Sequence, residues 1–235
     1  MEVFSISCLT NLLSNFLDVA DFIEFVCTHP IIVKYAFNNI KYCINTNDVN
    51  FMIEVKKYFN KSIFNVSHDN ELLNFIQNCK NQECKTLIIS SIINLKIHSS
   101  FDEMNDIIMR QFTNLTNLEI NSNKLLSCYG LKPLLKLKKL RLYNVNFMDN
   151  KTINIFTNLT WLELFNCNGI TNITKLTNIT TLGISYNNNI SNKCVIKMTQ
   201  LTELHLWNNN VITEKTLKKL TNITSIDLSN NIFDK

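Results

Sequence analysis

The sequence predicts an α/β solenoid in which one short strand per repeat stacks into a parallel sheet, preceded by a helical N-terminal region. Three observations carry that prediction. A unit typified by LTELHLWNN, Leu201 to Asn209, recurs with its first apolar residue at Leu115, Leu137, Leu159, Ile179, Leu201 and Ile223, in steps of 22, 22, 20, 22 and 22 residues. Within each unit apolar residues stand at the first, fourth and sixth places, as Leu201, Leu204 and Leu206 do. The ninth place is Asn123, Val145, Cys167, Asn187, Asn209 and Asn231.

Each part of the unit has a physical role. Apolar residues at places four and six alternate with polar neighbours, as a strand with one buried face requires. A ninth-place Asn can turn inward and hydrogen-bond backbone groups where the chain leaves the strand. Cys167 offers only weak versions of those bonds and Val145 none, so the ladder is expected to be softest at its second and third rungs. No repeat buries its apolar face alone, and stability is a sum over neighbours. The pattern resembles the leucine-rich repeat, LxxLxLxxN/C, and a period of this size denotes a solenoid. That resemblance implies a right-handed horseshoe with the parallel sheet on its concave face, and about six to seven repeats over residues 83–235.

Composition narrows the class. The chain has 235 residues, 46% of them hydrophobic, and a formal net charge of +4, with a mean hydropathy near zero at +0.01. Those values fit a chain that buries a sizeable core, and no run approaches the roughly 18 apolar residues of a spanning helix. The segment before Lys34 carries no Lys or Arg and so lacks the basic start of a signal peptide. An intracellular, cytoplasmic protein without membrane contact is therefore expected. Its eight cysteines are scattered singly, as reduced, mostly buried residues are. Abundant Asn, Ile and Lys with scarce Gly and Pro point to an AT-rich viral or protist genome.

In chain order, residues 1–45 stand outside the repeat. Leu9, Leu12, Leu13, Phe16 and Leu17 fit one helical face, Asp18 caps a second helix, and Pro30 opens a third. The text LLSNFLDVADFIEFVC, Leu12 to Cys27, resembles the F-box, without its usual early Pro and without the Trp that follows Val-Cys. The resemblance implies a substrate adaptor of a cullin-type ubiquitin ligase, with Leu12, Leu13, Phe16, Leu17 and Phe22 gripping a Skp-type adaptor. The alternative is a helical cap in a stand-alone regulatory or structural binder of the phosphatase-regulator kind. Residues 46–82 form a connector, with amphipathic helices expected over Asp48 to Phe64 and Asp69 to Cys79. Cys84, Leu87 and Ile89 fit places one, four and six of a degenerate first repeat, 31 residues before Leu115. Further on, Asp102 to Gln111, Asp149 to Phe156 and Thr213 to Leu220 suit short outer helices. Asn168 to Leu176 is brief enough only for a turn, which accounts for the 20-residue step. The 22-residue period is also similar to that of the internalins, whose extracellular setting the missing leader argues against.

Places three, five and seven point away from the core, onto the concave face. They gather Arg141, Tyr143, Trp161, Glu163, Phe165, Glu203, His205 and Trp207, with Tyr186 near the gap at Ser185 and a dip at Gly183. Exposed aromatics bordered by charges have the composition of a protein-binding hot spot. Glu119, Glu163, Glu203 and Asp227 share that face and would repel a phosphate backbone, so nucleic acid is not expected. Three glycines in the whole chain leave no phosphate-cradling loop, and no paired CxxC or HExxH supplies a metal site. The expectation is a non-enzymatic recognition protein with no cofactor, no metal and no catalytic residues.

Overall fold

A computed structural model describes residues 43–58, 61–67, 70–98 and 103–230. The helices expected up to residue 42, with Leu12, Leu13, Phe16, Leu17 and Phe22, lie outside the described residues. Two compact units divide in sequence between Ile93 and Asn94.

The first unit contains β1 (Cys43–Asn45), α1 (Val49–Tyr58), β2 (Ile63–Ser67), α2 (Asn70–Asn78) and α3 (Gln82–Ser91). β1 and β2 are parallel, with Cys43 opposite Ile63, and α1 makes the crossover. Asp48 starts α1 by accepting the Phe51 amide at 2.9 Å. Val49, Met52 and Val55 on one face of α1 bury against a core that includes Phe64, Val66, Leu72, Leu73 and Ile76. Alternation in IFNVS, with Phe64 and Val66 buried and Ser67 exposed, makes this stretch a strand. The helix expected as far as Phe64 therefore ends at Tyr58. Lys56 is buried among these groups, and its ammonium donates to the Ser62 carbonyl at 2.8 Å.

The second unit is the solenoid. Its strands are β3 (Ile92–Ile97, in this unit from Asn94), β4 (Asn117–Asn121), β5 (Lys139–Tyr143), β6 (Trp161–Phe165), β7 (Thr181–Gly183), β8 (Glu203–His205) and β9 (Ser225–Asp227). All pair in parallel and in sequence order, with like places of successive repeats opposite one another. One-turn helices occupy most outer segments: α4 (Asp106–Met109), α5 (Cys128–Leu131), α6 (Asn150–Ile153), α7 (Asn192–Val195) and α8 (Glu214–Leu217). The 20-residue repeat has turns where the others have a helix. Its Gly169 lies so close to the preceding repeat that a Cβ would meet the Met148 carbonyl oxygen at 2.5 Å.

The first repeat begins later than Cys84, Leu87 and Ile89 suggest. Those residues belong to α3, which Asn81 caps by accepting the Cys84 amide at 3.0 Å. The strand is IINLKI, where Ile92, Leu95 and Ile97 take places one, four and six and are buried. Leu95 and Ile97 lie opposite Leu118 and Ile120. Both stretches satisfy the 1-4-6 spacing, because places one and four are also neighbours on a helix face. The polar alternation that a strand needs is present only in the second.

Three further periodic features lock the repeats together. Place two sends its carbonyl to two amides of the next repeat, as Thr180 does to Thr202 and Glu203 at 2.8 and 3.0 Å. Threonine hydroxyls add to this, with Thr180, Thr202 and Thr224 donating to the place-two carbonyl of the repeat before at 3.1 to 3.2 Å. The residue preceding place one reaches back as well: Asn158, Asn178 and Asn222 donate side-chain amides to Leu135, Thr157 and Thr199 carbonyls at 3.1, 3.0 and 2.8 Å. Place eight adopts a left-handed backbone in the six repeats from β4 to β9, at Ser122, Asn144, Asn166, Tyr186, Asn208 and Asn230, with φ between 51° and 59°. Asn tolerates that region better than other side-chain-bearing residues, which accounts for its use at four of these six positions.

The ninth-place ladder is uneven. Asn209 accepts from the Val211 and Ile212 amides and donates to the Ile184 and Asn187 carbonyls, at 2.9 to 3.2 Å. Cys167 makes the weak contacts expected of sulfur, at 3.3 and 3.4 Å to the Leu142 and Phe165 carbonyls, and burial pushes its thiol up to about 11. Val145 has no polar side-chain atom to offer. Asn187, fully buried, has neither its amide nitrogen nor its oxygen bonded among the described residues. The soft stretch of the ladder thus extends one rung beyond Val145 and Cys167.

Candidate functional site

The strand register sorts the sheet face into columns. The fifth places run Lys96, Glu119, Arg141, Glu163, Gly183, His205, Asp227, and the third places Asn94, Asn117, Lys139, Trp161, Thr181, Glu203, Ser225. Strands about 4.8 Å apart bring each residue within reach of its column neighbours. Lys96, Glu119, Arg141 and Glu163 consequently form an alternating ladder of ion pairs at 3.6, 3.5 and 3.3 Å. Arg141 Nε approaches Glu163 Oε2 without an aligned hydrogen bond, so that rung is mainly coulombic.

Glu163 is the hub. Its carboxylate accepts the Trp161 indole N–H at 2.6 Å and the Tyr143 hydroxyl at 2.9 Å. Burial, then the bond to Glu163 and that carboxylate's charge, hold the Tyr143 phenol protonated well above the usual range. Lys139 and Arg141 lie over the Trp161 ring at 4.6 and 5.0 Å from its centroid. Trp161 therefore joins the charged ladder and not the aromatic group expected beside Phe165. At Gly183 a Cβ would stand 3.0 Å from Glu163 Cγ, so the missing side chain leaves room for the Glu163 stem. The dip expected at Gly183 is thus bordered by that stem, while the carboxylate is held by Tyr143 and Trp161.

The aromatic group is built at places seven and eight. Phe165 is its centre, with ring centroids 6.2 Å from Tyr143, 4.9 Å from Tyr186 and 5.9 Å from Trp207. Tyr186 and Trp207 meet edge to face at 5.2 Å, and each is 38% exposed. A recess of about 240 Å³ opens beside them, lined by Tyr143, Glu163, Phe165, Gly183, Ser185 and His205 among others. His205 and Glu203 lie on β8 next to it, and Glu203 accepts the Thr181 hydroxyl at 3.2 Å. All eight residues expected at the site stand on this face. They form two joined groups, a charged one around Glu163 and an aromatic one around Phe165.

Sequence reasoning leaves out Lys96 and gives Tyr186 too small a part. Lys96 goes missing with the misplaced first repeat, since starting at Ile92 puts it at place five. Tyr186 has a signal in the sequence: it fills a place that is Asn in most repeats. None of the described helices is long and apolar enough to cross a membrane, and no group of three or more metal-ligating side chains occurs among the described residues.

Comparison with solved structures bears on the scaffold. An internalin, InlF of Listeria monocytogenes str. 4b F2365, superposes with a TM-score of 0.55 at 17% identity, over 78% of this chain and 66% of its own. TLR13, in a complex with ssRNA13, superposes with a TM-score of 0.54 at 16% identity, over 82% of this chain and 33% of its own. The fold is a leucine-rich-repeat solenoid. This chain spans just under two thirds of the internalin's length and one third of TLR13's, and at these identities the likeness extends to the fold alone. No protein-family model matches the sequence, and no curated protein matches it.

Proposed function

We propose that the chain is a non-enzymatic recognition protein whose leucine-rich-repeat sheet face binds a protein partner. The observation that carries this reading is the aromatic group of half-buried Tyr143 and Phe165 with exposed Tyr186 and Trp207, flanked by the ladder that ends at Glu163. Large rings beside fixed charges are what protein hot spots use. A recess of about 240 Å³ falls below the roughly 300–1,000 Å³ of small-molecule sites, and it suits one protruding side chain. Nucleic acid is disfavoured by the carboxylates of Glu119, Glu163, Glu203 and Asp227 on the same face.

A display selection of random peptides on the full chain tests the reading. Enriched peptides are expected to lose at least about tenfold in affinity, the weight of one hot-spot residue, when Phe165 and Trp207 are both replaced by Ser with the circular dichroism unchanged. An enriched set indifferent to that change would overturn it. The finer reading as an F-box-like adaptor rests on the Leu12 to Cys27 text alone. It predicts capture of a Skp-type adaptor that is abolished by Leu13→Asp with Phe16→Asp in a chain that stays folded. No capture by the intact chain would favour the stand-alone regulatory binder.

A further inference from the structure

The sheet face is electrically lopsided. Toward its N-terminal side the charges satisfy one another: Lys96, Glu119, Arg141 and Glu163 pair in a row, and Lys139 sits over Trp161. Past Gly183 the balance fails. Glu203 and Asp227 have no ion-pair partner among the described residues; Glu203 shares β8 with His205, and Asp227, opposite His205 on β9, accepts from the Ser229 amide and hydroxyl. The two tryptophans repeat the contrast, because Trp161 carries two cations over its ring and exposed Trp207 carries none among the described residues.

Between these halves lies the recess, with Glu163, Phe165, Gly183 and His205 among its lining residues. Tyr186, packed on Phe165 and Trp207, holds φ at 51°, a conformation unfavourable for a bulky L-residue. Strain of that kind persists where the side chain serves a surface. Aromatic faces next to unpaired carboxylates bind cations, through the ring quadrupole and through charge.

We propose that the recess takes the cationic side chain of an arginine or lysine presented by a protein partner, its stem along Phe165 and its charge toward Glu203 and Asp227. This rests on the reading of the sheet face as a protein-binding surface. The partner segment is then basic where it meets β7 to β9.

The three glycines of the chain give a direct readout, because their amide signals stand apart in a nitrogen–proton correlation spectrum. Titration of the full chain with Nα-acetyl-arginine methylamide is expected to move Gly183 saturably and to leave Gly130 and Gly169 in place. The norleucine and glutamate analogues are expected to move none of the three. Glu203→Gln with Asp227→Asn keeps the shape of both side chains and is expected to weaken the arginine probe about fivefold, the scale of two exposed charge contacts. A Gly183 signal that ignores arginine, that follows norleucine equally, or that is untouched by the double variant would overturn the proposal. If selected peptides still depend on Phe165 and Trp207 while these results fail, the protein-binding reading survives and only the cationic occupant falls.

Discussion

At the scale of single residues, equivalent positions in the repeat carry unequal weight. Asn209 makes four hydrogen bonds, three of them buried, whereas the Asn187 side chain makes none among the described residues. Removing Asn209 strands two amides and two carbonyls, at about 1–3 kcal/mol for each group left unsatisfied. Asn209→Ala is therefore expected to lower the unfolding free energy by about 4 kcal/mol or more. Asn187→Ala removes a side chain that has only the cost of its own burial, and a loss under about 1 kcal/mol is expected. Urea denaturation of the two variants makes the comparison. Place eight permits a similar contrast at Tyr186. Tyr186→Ala and Tyr186→Asn delete the same ring, but Asn accepts the left-handed backbone. The Asn variant is expected to be the more stable by about 1 kcal/mol in the same assay. Neither inequality is legible in the sequence. The 1-4-6-9 pattern assigns each ninth-place residue a slot, whereas the bonds it makes depend on which backbone groups the neighbouring repeat brings within reach. The left-handed place is written in Asn144, Asn166, Asn208 and Asn230, yet the pattern's conventional ending at place nine draws attention past it.

At the scale of elements, strands are more legible than the region that leads into them. From β4 to β9 every strand falls on the predicted places, because alternation and spacing agree there. Before Asn94 they disagree. Cys84 to Ile92 satisfies repeat spacing by helical periodicity, and the apolar residues of Ile63 to Ser67 extend the pattern of the helix before them. That region also carries a lysine whose proton affinity is lowered by burial. Lys56 is held at about 8 in the folded chain against an ordinary 10.5. Because the unfolded chain binds the extra proton between these values, stability rises as pH climbs from about 8 toward 10.5. The rise is at most about 3 kcal/mol, since each tenfold change in proton affinity is worth about 1.4 kcal/mol. Above about pH 9 the raised Cys167 thiol, and above about pH 10 the raised Tyr143, act in the opposite sense, since their folded forms keep a proton that the unfolded chain gives up. Denaturation midpoints measured from about pH 7.5 to 9 are expected to climb in the wild type. In Lys56→Met, which keeps the aliphatic stem, they are expected to be higher at neutral pH and nearly flat.

At the scale of the molecule, the solenoid is legible because a repeat states its own rule six times, and the sheet-face columns follow once that rule is known. The grouping within the face is less so, since Trp161 turns to cations and Tyr186 turns to rings through contacts that register alone does not decide. The inter-repeat lock has its own consequence for how the protein is made. Asn158-Leu159-Thr160, Asn178-Ile179-Thr180 and Asn222-Ile223-Thr224 use the Asn amide and the Thr hydroxyl to hold the repeat before, and each is also an acceptor sequence for N-linked sugar. A glycan on that nitrogen would occupy the space of the preceding turn. Production through a glycosylating secretory pathway is therefore expected to give sugar-bearing chains that stack poorly, recognised by mass spectrometry together with a lowered melting temperature. Thr160→Val, Thr180→Val and Thr224→Val in combination, which erase the acceptor but keep the Asn donor, are expected to restore much of the loss in that host. In a host that attaches no sugar the same triple change would only weaken the lock, so one set of substitutions stabilises or destabilises according to the compartment in which the chain folds.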